Sequence, residues 1–170
     1  MYMSKNKILP LNLSNYCHKL EKLLEKYIEL DLKEKEKTKL IAELVDIAAK
    51  PSRIKDGKAL FKAILEREKL GSTAIGNGVA IPHVKIKGVK RPLLILGRSA
   101  EGVDFDALDG EKTYLFFMLI SPQEKVGLHL KILAKISHLV KDKFIVERLK
   151  KVKVKHEIFE IISGFERYFK

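Results

Sequence analysis

The chain has 170 residues, 46% of them hydrophobic and 33% charged, with a formal net charge of +12. That length suits one domain with a sizeable core, and the composition is that of a globular protein rather than a disordered or fibrous one. No apolar run reaches the length of a membrane span, the longest being residues 114–120, and the single cysteine, Cys17, excludes an intramolecular disulfide and favours a reducing, cytoplasmic location.

Residues 1–12 read as an N-terminal tail and 13–170 as a single domain. Ser14 is placed to cap a helix with Leu20, Leu23, Leu24 and Tyr27 at helical spacing. Ile28, Leu30 and Leu32 alternate with Glu29 and Asp31, the pattern of a half-buried strand. Between 36 and 49, Leu40, Ile41, Leu44, Val45 and Ala48 form an apolar stripe that Pro51 ends. Asp56 caps the next helix, with Leu60, Phe61, Ile64 and Leu65 inward and a stop near Gly71. Residues 93–96 and 114–120 are continuously apolar, as buried central strands are. The acids of 104–110 are spaced as in a calcium loop, but no glutamate closes the set, so a connecting turn is expected. Residues 125–140 form a long amphipathic helix with Leu128, Ile132, Leu133, Ile136 and Leu139 on its apolar side. Two shorter helical segments, 143–149 and 156–165, complete a layered α/β domain.

The charge is concentrated in 141–155, where Lys141, Lys143, Arg148, Lys150, Lys151, Lys153 and Lys155 face only Asp142 and Glu147. Such a strip suits an acidic protein or nucleic acid, yet it also reads as a plain solvated surface. No zinc-finger spacing, dinucleotide fingerprint or RNA-binding aromatic signature accompanies it.

Chemistry is concentrated in residues 67–83, Arg67-Glu68-Lys69-Leu70-Gly71-Ser72-Thr73-Ala74-Ile75-Gly76-Asn77-Gly78-Val79-Ala80-Ile81-Pro82-His83. Glycines permit close approach of the main chain, so that N–H groups can converge on phosphate-like oxygens, and Pro82 fixes the approach into His83. His129 stands early in its helix after Ser121-Pro122, where negative charge is favoured. His18, His138 and His156 have no such neighbours. Ser72 follows a helix rather than sitting on a strand-to-helix elbow, the Walker pattern is absent, and two histidines without a third ligand make a poor zinc site. Cys17 has no electropositive neighbourhood to activate it. What remains is histidine acting as a nucleophile toward phosphorus.

Residues 67–73, together with Gly76-Asn77-Gly78-Val79-Ala80-Ile81-Pro82-His83, resemble the active-site signature of the EIIA domains of the bacterial phosphoenolpyruvate-dependent sugar phosphotransferase system, fructose/mannitol class, which includes the nitrogen-regulatory EIIA proteins. The turn at 104–110, the strand at 114–120 and the helix around Leu128-His129-Leu130 follow in that family's order, so the resemblance spans about 13–165. It implies a central mixed β-sheet flanked by helices. It also implies that His83 accepts a phosphoryl group, that Arg67 and His129 hold it, and that Ser72, Thr73 and Asn77 shape the phosphate pocket. No metal or cofactor is required. The implied donor is an HPr-like phosphocarrier, and the implied acceptor an EIIB domain or a regulatory target. Neither membrane insertion nor a nucleic-acid partner is expected. No EIIB or membrane segment is present in the 170 residues, which favours a stand-alone regulatory carrier over a transport one. The family commonly has a small residue after the histidine; Val84 stands there in this chain and is expected to narrow the partner's approach. Lys69, Lys85 and Lys87 flank the motif, where an HPr-type donor implies an acidic or neutral rim. The alternative to phosphotransfer is a binding module that acts by contact through the basic strip.

Overall fold

The computed structural model describes residues 19–24, 27–50 and 54–168. In chain order these form α1 (Leu20–Leu24), β1 (Ile28–Glu29), α2 (Lys37–Ala49), α3 (Gly57–Lys69), β2 (Ala74–Gly76), β3 (Val79–Ala80), β4 (His83–Ile86), β5 (Leu93–Val103), β6 (Thr113–Pro122), α4 (Val126–Lys141), α5 (Lys143–Lys151) and α6 (Lys155–Tyr168). The N-terminal tail, the expected cap at Ser14, Cys17, His18 and Pro51 lie outside the described residues.

The six strands make one mixed sheet in the order β1-β5-β6-β3-β2, with β4 also paired to β6. Strands β5 and β6 run antiparallel, β1 lies parallel to β5, and β3 and β4 both lie parallel to β6. Successive side chains of a strand point to opposite faces, and here both faces are covered. Leu115, Phe117 and Leu119 of β6 join the core under α1, α4, α5 and α6. Phe116, Met118 and Ile120 join the core under α2 and α3. Double coverage is the reason this strand reads as an uninterrupted apolar run. On β5, Gly97 admits the closest approach, since a Cβ there would lie 2.6 Å from Leu32 Cδ1 and 2.8 Å from Leu44 Cδ2.

Two expectations are corrected. The strand expected over 28–32 is hydrogen-bonded as a ladder only at Ile28–Glu29. Beyond it the Leu30 carbonyl accepts from Arg98 Nε at 3.0 Å, and a backbone bond from the Leu32 N–H to the Arg98 carbonyl at 2.9 Å stands outside the ladder. The segment after α3, read as a glycine-rich loop, contains β2, β3 and β4. They are too short to show a periodicity, and the pairing of β3 and β4 with β6 is long-range.

The turn at 104–110 is a connection, as expected. Asp104 Oδ1 accepts the Asp106 N–H at 3.1 Å, and Asp109 Oδ1 accepts the Glu111 N–H at 3.1 Å. Phe105 is fully buried and sets its ring edge-on to Phe116 at 5.2 Å.

Candidate functional site

Strands β3 and β4 are one run along β6, interrupted at Ile81 and Pro82 without a change of register. Val79 lies opposite Leu115, and His83 opposite Leu119. Pro82 has no N–H to give to a ladder, but its carbonyl accepts from Leu119 at 2.9 Å. The Ile81 N–H turns to the Thr73 carbonyl at 2.9 Å, and the Ile81 carbonyl meets His83 Nδ1 at 2.6 Å. A carbonyl only accepts, so Nδ1 carries the proton and Nε2 keeps its lone pair. Arg67, in the last turn of α3, donates from Nε to that Nε2 at 3.3 Å and from Nη1 to the Gly71 carbonyl at 3.0 Å.

The His129 ring lies 5.7 Å from that of His83, tilted by 51°. It stands in the first turn of α4, its side chain buried and its Nδ1 2.9 Å from Ser121 Oγ. Ser121 is fully buried, and this is the hydrogen bond its hydroxyl makes. Donation from Oγ–H to Nδ1 satisfies both groups and leaves His129 protonated on Nε2. Burial lowers the pKa of His129 to about 4, helped by His83 and Lys85. Burial likewise holds His83 below 6.5; the Ile81 hydrogen bond opposes the shift, while Arg67 and Lys85 reinforce it. Both imidazoles are therefore neutral near pH 7, one offering a lone pair and the other an N–H.

Behind Arg67, the buried Glu68 carboxylate reaches forward to the Thr73 N–H at 3.2 Å and also accepts from the Thr73 hydroxyl. It pairs with Lys37 Nζ at 2.9 Å, which in turn reaches Asp106 at 3.0 Å. Burial opposes charge on Lys37, but Glu68 and Asp106 outweigh it and keep the ammonium charged. Ser72 Oγ donates to the Phe105 carbonyl at 2.6 Å. Ser72 and Thr73 thus brace the loop that carries the main chain from Arg67 toward His83.

The structure brings Arg67, His83 and His129 together and does not bring Asn77 to them. Asn77 and Gly78 are the two central residues of a β2–β3 hairpin, with φ of 55° and 75°, between the paired Gly76 and Val79. Both central residues of such a two-residue turn need positive φ, which asparagine and glycine tolerate. The Asn77 N–H donates to Asp109 Oδ2 at 3.0 Å. Val84 is 8% exposed and belongs to the core under α2 and α3, so it does not narrow the approach to His83. Ser121, Glu68 and the Ile81 carbonyl were not singled out by sequence reasoning. Glu68 had a signal, its adjacency to Arg67, whereas the other two become neighbours of the imidazoles only through the sheet.

Among the described residues, no group of three or more His, Cys, Asp or Glu is placed to hold a metal ion, and no helix is long and apolar enough to cross a membrane. The basic strip lies toward the other end of β6. Lys150 sits 5.2 Å over the Tyr114 ring and pairs with Glu147 at 2.9 Å. Asp142 caps α5 through Phe144 and Ile145, and the basic residues of the last turn complement the helix C-terminus.

The profile of the family described as phosphoenolpyruvate-dependent sugar phosphotransferase system, EIIA 2, matches residues 21–164. The chain belongs to this family. EIIA domains are phosphotransfer components of that system. The chain is 36% identical over 150 residues to the fructose-specific EIIABC component of Bacillus subtilis, covering 88% of this chain and 24% of that protein. It therefore spans about a quarter of that relative's length. Its fold matches the nitrogen regulatory protein IIA-Ntr of Neisseria meningitidis with a TM-score of 0.78 and 35% identity, over 84% of this chain and 97% of that one. The mannitol enzyme IIA of Escherichia coli, solved in complex with phosphorylated enzyme IIB, shares the fold at a TM-score of 0.70 and 21% identity, over 82% of this chain and 95% of that one.

Proposed function

We propose that this EIIA domain is a phosphocarrier that takes a phosphoryl group from an HPr-type donor onto Nε2 of His83. It then hands the group to an EIIB domain or uses it as a regulatory signal. The observation that carries the reading is the tautomer of His83, whose Nδ1–H is held by the Ile81 carbonyl while Nε2 faces Arg67. The Nε2 lone pair forms the new N–P bond as the donor's N–P bond breaks, and that electron pair stays on the donor's imidazole. The Nδ1 proton remains on the Ile81 hydrogen bond, which stabilises the positive charge gained by the ring. Arg67 swings its fork from Nε2 onto the phosphoryl oxygens, a geometry that suits a guanidinium better than an ammonium. Neutral His129 donates from Nε2–H to the same oxygens. These roles for His83, Arg67 and His129 supply preorganised donors where charge arrives.

The likeness to IIA-Ntr supports a regulatory output, and the likeness to a fructose EIIABC component supports a sugar-transport one. The test is intact mass after incubation with phosphoenolpyruvate, enzyme I and HPr at neutral to alkaline pH, where phosphohistidine survives. One phosphoryl adduct is expected on the wild type and none on His83→Ala with its fold intact. An adduct that persists in His83→Ala, or none on the wild type with a cognate donor, would overturn the reading. Loss of the adduct on adding EIIB would then separate transport from regulation.

A further inference from the structure

The rim of the His83 site carries two kinds of residue that phosphoryl transfer itself does not use. The first is basic. Lys85 lies two residues along β4 from His83, on the same face of the strand, and its charge lowers the pKa of both imidazoles. Lys87 follows in the turn just beyond β4, and Lys125 immediately precedes α4, its carbonyl accepting the His129 N–H at 3.1 Å. All three are exposed, and among the described residues no carboxylate pairs with them. Glu124 is the acid beside them in sequence. The second kind is aliphatic. Leu70, which closes the turn after Arg67, is 85% exposed, and Val126 and Leu130, one turn apart on α4 beside His129, are 46% and 59% exposed. Their place three residues after Arg67 and on either side of His129 leaves aliphatic surface at the rim for a docking protein to cover.

We infer that this rim docks a protein whose contact face is aliphatic at its centre and rich in carboxylates at its edge. The inference rests on the phosphocarrier reading and names the chemistry of the partner. A cationic contact face would meet Lys85, Lys87, Lys125 and Arg67 with like charge, which opposes its docking. A carboxylate edge pairs with the lysines and speeds encounter, and the aliphatic centre excludes water from the N–P bond during transfer. Nucleic acid fits less well, because Leu70, Val126 and Leu130 offer bases no aromatic platform on which to stack.

The probe is one HPr-type carrier in two forms, its docking-face basic residues retained or changed to glutamate, each phosphorylated beforehand and purified. Initial rates of adduct formation are read by rapid quench from ~0.01 M to ~1 M salt. The glutamate form is expected to transfer ~10-fold faster or more at the lowest salt, with the advantage vanishing at the highest. Lys87→Glu/Lys125→Glu should reverse the preference at low salt and match the wild type at high salt, which also reports an intact fold. A basic form that is equally fast or faster, or a ratio unmoved by the lysine substitutions, overturns the inference. So does salt-steep binding of a single-stranded DNA 20-mer that depends on the same lysines while transfer ignores carrier charge. Binding of the two unphosphorylated carriers, measured by calorimetry, separates the two readings. A preference for the glutamate form with no adduct at any salt leaves docking standing and sinks transfer, whereas an adduct without charge preference does the reverse.

Discussion

The Val79-to-His83 part of the β3–β4 run has two ends, about 13 Å apart at the strand rise of ~3.3 Å per residue, and both fall within the same glycine-rich stretch of sequence. At one end His83 meets Arg67 and His129. At the other, Asn77 and Gly78 turn the chain, and Asp109 takes the Asn77 N–H. The first end holds neutral imidazoles beside charged Arg67 and Lys85; the second is closed on itself by hydrogen bonds. A shared local composition thus serves two purposes, one chemical and one conformational, and only the pairing with β6 separates them.

The comparison breaks if a substitution at the His83 end acts through stability, or one at the Asn77 end through transfer. The largest effect after His83 itself is expected at Arg67. Arg67→Ala should slow labelling by ~100- to 1000-fold without shifting the melting temperature, and Arg67→Lys should recover only part of that. Quench-flow labelling beside thermal unfolding checks both. Ser121→Ala comes next, with a roughly 10-fold slowing, because His129 Nδ1 loses its donor and the ring its fixed tautomer. Nitrogen NMR should show His129 Nε2 losing its proton share, and Ser121→Thr should restore both signals.

The pH response sharpens the contrast. His129 resists its proton down to about 4 when folded, whereas the unfolded chain takes it up near 6.5. The unfolded state binds more protons in that window, so stability falls as pH drops from about 6.5 to 4, by on the order of 2 kcal/mol. Urea titrations across the window should show that slope, and His129→Asn should flatten it. Asp109 acts in the same direction in a lower window: hydrogen bonds from the Glu111 and Asn77 N–H groups depress its pKa, so its contribution holds above 3.8 and is lost only under stronger acid. The smallest effect is expected at the hairpin tip. Asn77→Ala should cost ~1 kcal/mol, since alanine takes positive φ less readily, and leave the labelling rate at the wild-type value.

Most of the framework was legible from the sequence. The stripe Leu40-Ile41-Leu44-Val45-Ala48 is buried throughout, Asp56 caps α3 through the Ala59 N–H at 2.9 Å, and residues 114–120 form the centre of the sheet. These signals are local: helical spacing, a capping side chain, a continuous run of aliphatic and aromatic residues. The strand expected over 28–32 and the three strands within 74–86 were misread because two- to four-residue strands are specified by their partners rather than by their own pattern. At the site, the 67–83 motif singled out Arg67 and His83, and the place of His129 early in its helix, with the family resemblance, added His129. The motif also drew in Asn77, whose residue type suits an anion loop and a tight turn equally well.

By itself, then, the sequence determined the layered α/β class, the resemblance to the EIIA family and the residue types on which phosphorus chemistry can rest, because each is written in short-range order. Tertiary structure alone decided which of those residues meet. The unbroken register of β3 and β4 on β6 aims the Ile81 carbonyl at His83, and the approach of β6 to α4 sets Ser121 against His129. Those two contacts fix one imidazole as acceptor and the other as donor. Tautomers depend on groups distant along the chain and close in space, which no local pattern records.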